Sequence, residues 1–246
     1  MLKLISPLGI LLLSLEAITA GDISTRCCNS KLEFATKLSG EIDKYEKQYN
    51  VARRLLTNIQ QDCEIISTMV EYLQTSGWDG SCKSSCELEA FLKSFDGIRS
   101  KVLETLKNLR AACNNMSEMA KALGKYSNCK YGYCLLGCAN DRNVLECKLR
   151  KFVENALDGL YHSNILMDIV ERTCNTLGEQ AGNFCVKELN SNDSKGQCQI
   201  NNFLSEFVNI YRPGRESVNK LDINCDLGLS NINQFRAHLA IGSHCC

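Results

Sequence analysis

The sequence predicts an all-α protein of about four tandem helical hairpin repeats that are stapled by disulfides. Three observations lead to this fold class: the scarcity of proline, the number of cysteines and a cysteine spacing that recurs along the chain. The 246 residues include two prolines and 16 cysteines. Proline breaks helices and is common in loop-rich disulfide scaffolds. Its scarcity therefore favours long helices.

The first predicted segment, residues 1–20, is typical of a secretory signal peptide. Lys3 precedes a short apolar run at residues 10–13, and Ala20 is a small residue suited to cleavage. The run is too short to cross a bilayer, because a spanning helix needs roughly 20 apolar residues. We therefore expect a secreted, extracellular protein without a membrane span, whose mature chain starts at Gly21.

Secretion makes disulfides the expected fate of the cysteines. Structural zinc is an alternative, because Cys82/Cys86 and Cys134/Cys138 have a spacing found in zinc sites. The chain has only three histidines, however, and an oxidising compartment favours disulfides over zinc. The predicted disulfide cysteines are Cys27, Cys28, Cys63, Cys82, Cys86, Cys113, Cys129, Cys134, Cys138, Cys147, Cys174, Cys185, Cys198, Cys225, Cys245 and Cys246.

The spacing of the cysteines leaves their pairing open. Adjacent cysteines seldom bridge each other, because the geometry is strained. The two adjacent pairs at the ends of the mature chain therefore bond elsewhere, which would staple both ends into the fold. Alternatively, one of these cysteines links two chains into a disulfide-linked dimer.

One spacing of cysteine and phenylalanine occurs three times. A cysteine is followed five residues later by phenylalanine, and 22 residues after that by a second cysteine, here called the anchor cysteine. A fourth copy at the start of the mature chain has a longer second interval. We interpret the copies as four repeats at residues 21–81, 82–133, 134–196 and 197–246. Their anchor cysteines are Cys63, Cys113, Cys174 and Cys225.

Each repeat is predicted to be a long helix, a bend near the anchor cysteine and a shorter second helix. Apolar residues recur seven and ten residues after each anchor, which is one helical stripe. In the second repeat, apolar residues also recur at steps of three and four from Phe91 to Cys113. In the fourth repeat, Pro213 and Gly214 are expected to end or sharply kink the long helix.

Several function classes are disfavoured by charge and motifs. The net charge is zero, which differs from the basic footprint of nucleic-acid binders and from a cationic membrane-binding face. No Gly-x-Ser-x-Gly elbow, His-Glu-x-x-His motif or glycine-rich phosphate loop occurs. His238 and His244 lie near the C-terminal cysteines, but their spacing is weak for a metal site. The sequence therefore predicts no catalytic residue, no metal and no cofactor.

The leading hypothesis is a non-enzymatic secreted protein that binds an extracellular protein or receptor. Toxins, secreted effectors and matrix components fit this description. The alternative is an extracellular carrier of a small apolar ligand such as a lipid, held in a cavity between amphipathic helices. Two sequons predict glycosylation: Asn192 in a polar linker, and Asn115 at the predicted bend after Cys113.

Overall fold

The chain forms four long helices in a computed structural model. The structure describes residues 7–76, 82–128, 138–184 and 194–242, with side chains over 32–75, 86–127, 145–184 and 198–240. A short 3-10 helix at Lys125–Asn128 follows the second long helix. Among these residues there is no strand, and the all-α prediction is confirmed. The long helices are α1 (Pro7–Ser76), α2 (Cys82–Gly124), α3 (Cys138–Asn183) and α4 (Ser194–Gly242).

Each helix runs without a break through its anchor cysteine. The predicted bend and second helix are therefore wrong, and a single helix stands in place of each hairpin. The apolar positions seven and ten residues after the anchor explain the difference. Seven residues are close to two helical turns, so these positions lie on the same face as the anchor when one straight helix continues.

Helix α4 also continues through Pro213 and Gly214, where an end or sharp kink was expected. Proline inside a helix costs about 3 kcal/mol, because it removes one hydrogen bond and crowds the preceding turn. Burial of Tyr211 and Val218 on either side offsets this cost. Gly214 lies against Thr173 of α3, and a Cβ added there would be 2.6 Å from Thr173 Cγ2. Gly214 therefore permits a close approach of two helices and does not terminate one.

The predicted apolar stripe of α2 is confirmed. Phe91, Phe95, Val102, Leu106, Leu109 and Cys113 are buried, and Ile98 is half-buried. The lysines on the opposite face, at positions 93, 101 and 107, are exposed. The sequence pattern thus identified the buried face of this helix.

The chain divides into two compact units, and segments of all four helices contribute to each. Unit 1 comprises Met1–Glu46, Glu118–Leu157 and Leu229–Cys246. Unit 2 comprises Lys47–Ser117 and Asp158–Gly228.

An aromatic cluster and a shared arginine hold unit 1 together. The Phe152 ring of α3 stacks on Phe235 of α4 at 5.1 Å between centroids, and meets Tyr45 of α1 edge-on at 5.6 Å. The Asn231 side chain donates a hydrogen bond to the Phe152 carbonyl at 3.0 Å. The guanidinium of Arg236 on α4 pairs with Asp43 and Glu46 of α1.

Unit 2 is an antiparallel four-helix bundle. Neighbouring helices are joined in the order α1–α2–α3–α4–α1, and along each pair higher residue numbers on one helix meet lower numbers on the other. Helices α1 and α3 therefore lie diagonally opposite each other, as do α2 and α4. The joining contacts are Lys101–Asp62 (2.8 Å), Arg110–Glu171 (2.8 Å), Gln180–Glu206 (3.1 Å) and Tyr211–Cys63 (2.5 Å).

Candidate functional site

The four anchor cysteines lie in the interior of unit 2. Cys63 and Cys113 are buried, and Cys174 and Cys225 are half-buried. Each continues the three- and four-residue steps of buried side chains on its helix, as Cys113 does after Leu109. In a bundle, such positions face the common axis. The contacts around the cysteines arrange them in two layers.

Layer A contains Cys63, Cys174 and Tyr211. The Tyr211 hydroxyl donates a hydrogen bond to the Cys63 carbonyl at 2.5 Å. The Ser67 hydroxyl lies 3.0 Å from the Tyr211 oxygen and donates to it, because the phenol proton is already used. Thr173, next to Cys174, contacts Gly214, which lies about one turn after Tyr211. Cys63 and Cys174 therefore lie at one level on diagonally opposite helices.

Layer B contains Cys113, Cys225 and Tyr49. The Tyr49 hydroxyl donates a hydrogen bond to the Cys225 carbonyl. A Cβ added at Gly228 would lie 3.0 Å from the Tyr49 ring, so α4 approaches α1 closely beside this layer.

The register of α1 and α2 places Cys113 at the level of Tyr49 and Cys225. Lys101 meets Asp62, and the two helices are antiparallel. A residue twelve positions after Lys101 therefore lies beside the residue twelve positions before Asp62. These residues are Cys113 and Asn50, the neighbour of Tyr49. Cys113 and Cys225 thus share a level, again on diagonally opposite helices.

The two layers are reciprocal. Tyr49 stands fourteen residues before Cys63, and Tyr211 stands fourteen residues before Cys225. Each tyrosine donates to the anchor cysteine on the other's helix. Sequence reasoning missed both tyrosines, although their equal offset in the first and fourth repeats is a readable signal.

Burial keeps the anchor thiols protonated. Desolvation raises the pKa of Cys63 to about 11 and the pKa values of Cys113 and Cys174 to about 12. It also raises the pKa of Cys225. Cys63 further raises the pKa of Cys174, and Cys225 further raises the pKa of Cys113, because a second thiolate nearby repels the first. At neutral pH these thiols are weak nucleophiles.

Burial likewise raises the pKa values of the two tyrosines above the ordinary value of 10.0. Both phenols are therefore protonated over the physiological range and act as hydrogen-bond donors. The polar groups of the two layers serve contacts between helices.

The predicted disulfides do not appear among the cysteines whose side chains the structure describes. The anchors and three exposed cysteines, Cys86, Cys147 and Cys198, carry free thiols. The exposed cysteines are the first cysteines of the repeat pattern and lie on the outside of α2, α3 and α4. The other nine lie outside the described side chains: Cys27, Cys28, Cys82, Cys129, Cys134, Cys138, Cys185, Cys245 and Cys246.

Of the remaining predicted positions, the structure describes Asn115 and His238, and neither belongs to layer A or layer B. Asn115 is exposed within α2, with no bend beside it, and Asn192 lies outside the described residues. His238 is half-buried on α4, and His244 also lies outside the described residues. In the described part of the chain, no three potential metal ligands form a cluster.

Comparison with known proteins identifies no relative. No family model, curated protein or solved structure matches this chain. Over the described residues, no helix combines the length and apolar character needed to cross a bilayer. The two layers and the outer faces of the helices are the features from which a function can be inferred.

Proposed function

We propose that the protein is a secreted, non-enzymatic helical protein that binds an extracellular macromolecule. The observation that carries this proposal is that the polar groups and cysteines inside unit 2 serve the packing of its helices. The buried tyrosine hydroxyls of both layers are bonded to main-chain carbonyls, and the anchor cysteines continue the buried apolar stripes of their helices. These groups stabilise the packing of helices, which is the role expected in a rigid binding scaffold.

Apolar side chains on the outer faces of the helices support contact with a partner. Ile223 and Leu227 of α4 are 59% and 63% exposed. They stand four residues apart, so they share one face of the helix. Exposed large apolar side chains that adjoin one another are the usual centres of protein interfaces. The proposed partner is therefore an extracellular protein or receptor, as for a toxin, an effector or a matrix component.

Binding to cells tests the proposal. The full chain would be expressed through a eukaryotic secretory pathway, purified from the medium, labelled and titrated onto cells from several tissues. Saturable binding that unlabelled protein displaces, and that protease treatment of the cells removes, is expected. The double variant Ile223→Glu/Leu227→Glu should bind at least tenfold more weakly, because charges replace apolar contacts.

A matched control separates the loss of apolar contacts from the effect of the added negative charge. Ser205 and Asn209 are exposed on α4 and stand four residues apart, five turns before Ile223 and Leu227 on the same face. The variant Ser205→Glu/Asn209→Glu carries the same added charge and should bind as the wild type does.

Two other results would overturn the proposal. Co-purification of a stoichiometric lipid, seen by native mass spectrometry, together with absence of saturable binding would identify a carrier. Covalent labelling by an active-site hydrolase probe, abolished by one substitution that leaves the fold intact, would identify an enzyme.

A further inference from the structure

We propose that the anchor cysteines form two disulfides, Cys63–Cys174 and Cys113–Cys225, each of which crosses the bundle of unit 2 between diagonally opposite helices. The proposal rests on the secretion that the proposed function includes. Its test requires no partner, so the two proposals can fail separately.

The level and direction of the four side chains support this pairing. The contacts of Tyr211 and Thr173 place Cys63 and Cys174 in layer A. Those of Tyr49, with the register of α1 and α2, place Cys113 and Cys225 in layer B. All four continue the buried stripes of their helices, so each thiol faces the axis across from its proposed partner. Cys63 raises the pKa of Cys174 and Cys225 raises the pKa of Cys113, which links the same two pairs.

A glycine also lies close to each layer. A disulfide needs Cα atoms within roughly 4.4 to 6.8 Å, so the helices must approach closely. Gly178, four residues after Cys174, lies against Arg99, and Gly228, three residues after Cys225, lies against Tyr49. These glycines remove side-chain volume between neighbouring helices beside the two layers, α2 and α3 at Gly178 and α4 and α1 at Gly228.

The repeat gives an independent reason for the pairing. The four anchors hold one equivalent position in the sequence, and the two proposed bridges join repeat 1 to repeat 3 and repeat 2 to repeat 4. The first bridge joins residues 111 positions apart and the second joins residues 112 positions apart. Each anchor therefore pairs with the anchor two repeats away, which explains why cysteine recurs at this position in every repeat.

The chemistry of the step is thiol–disulfide exchange with a small-molecule or protein disulfide donor of the secretory pathway. One anchor thiol loses its proton and attacks the donor, which releases one donor thiol and leaves a mixed disulfide. The partner thiol loses its proton and displaces the second donor thiol. Two cysteine thiols are oxidised by two electrons, and the donor disulfide is reduced to two thiols. Because burial raises the pKa of the anchors, the exchange takes place before the layers close.

Peptide mapping of the secreted full chain tests the pairing. Free thiols are blocked in acid, N-linked glycans are removed, and the unreduced protein is digested with trypsin. Cys113 then lies in peptide 111–121 and Cys225 in peptide 221–236, each with no other cysteine. The expected product is one linked pair of these peptides that reduction separates.

The second pair needs a further digestion. The tryptic peptides that carry Cys63 and Cys174 also contain Cys82 and Cys185. Cleavage after glutamate separates them, at Glu71 in the first peptide and at Glu179 in the second. The expected product joins the Cys63 fragment to the Cys174 fragment.

The variant Cys113→Ala provides a second measurement. One additional free thiol is expected, and alkylation should place it in peptide 221–236. An additional thiol in any other peptide would overturn the proposal. So would a wild-type chain in which the anchors are linked to other cysteines, or in which they leave the cell as free thiols.

Discussion

The tyrosines of the two layers show how a bundle interior accepts a polar group. A helical carbonyl has two lone pairs, and the helix uses one of them, so a phenol can donate to the other without breaking the helix. Tyr211 meets the Cys63 carbonyl in this way and also accepts a hydrogen bond from Ser67. The tyrosine ring fills the interior, and its hydroxyl sets the register of α4 against α1.

Replacing Tyr211 with Phe should lower the free energy of unfolding by about 1–2 kcal/mol. The hydrogen bond to the Cys63 carbonyl is lost, and the buried Ser67 hydroxyl loses its partner. Tyr161 provides a control, because it is 64% exposed on α3, and Tyr161→Phe should change stability by less than about 0.5 kcal/mol. Urea unfolding of the three proteins measures both values. Equal stability of the two variants would contradict the assigned role of Tyr211.

The raised pKa values predict a loss of stability in alkali. In the reduced protein the anchor thiols ionise near pH 9.0 when unfolded, but near 11 to 12 when folded at Cys63, Cys113 and Cys174. The folded state favours the protonated form, so its advantage is complete below pH 9 and declines as the pH rises towards 12. Urea unfolding at pH 8 to 11 should show this decline.

The oxidised protein supplies the comparison for that experiment. If the anchors are bridged, their contribution is absent, and the decline that Tyr49 and Tyr211 cause should begin near their unfolded value of 10.0. Identical pH profiles for the reduced and oxidised proteins would contradict the contribution of the thiols.

At the scale of the helix, Gly214 demonstrates a conflict between local propensity and packing. Alanine is favoured over glycine inside a helix by about 1 kcal/mol. At Gly214 a Cβ would lie 2.6 Å from Thr173 Cγ2 and 3.0 Å from both Cβ and Oγ1. Rotation of the branched side chain exchanges one close atom for another, so the helices must separate. We expect the clash to outweigh the propensity.

Gly214→Ala should therefore destabilise the protein by about 1–3 kcal/mol, the usual cost of overpacking. Gly97→Ala on α2 is the matched control, because a Cβ there meets nothing within 4 Å, and it should stabilise by up to about 1 kcal/mol. Adding Thr173→Ala to Gly214→Ala should recover part of the loss. Chemical denaturation measures the free energy of unfolding of these variants. A stabilising Gly214→Ala would contradict the role of Gly214 in the close approach of α3 and α4.

Helices α2 and α4 show which features of a helix a sequence pattern can predict. The stripe of α2 was identified correctly, because burial follows the helical period. The end of α4 at Pro213 and the bends at the anchor cysteines were not, because a break and a continuous helix share the same apolar spacing. Which of them forms depends on contacts from other helices, such as Thr173 against Gly214.

At the scale of the whole molecule, the all-α class followed from composition, but the arrangement of the helices did not. The repeat identified equivalent cysteines without indicating which of them meet. Their meeting depends on the antiparallel order of four helices and on the register that Lys101 and Asp62 establish. Tyr49 and Tyr211 stand at the same offset from their anchor cysteines, but only their contacts in the folded chain give that offset a structural role.

The proposed bridges should dominate the stability of the folded chain. Each closes a loop of more than 100 residues, for which loss of entropy in the unfolded state corresponds to about 4–5 kcal/mol. The double variant Cys63→Ala/Cys174→Ala should lose about 3–5 kcal/mol relative to the oxidised wild type. After full reduction the two proteins should differ by much less, because only side-chain packing then separates them. Urea unfolding with and without reductant measures both differences. An equal loss under the two conditions would show that the cysteines stabilise the interior by packing alone, and that no bridge spans these layers.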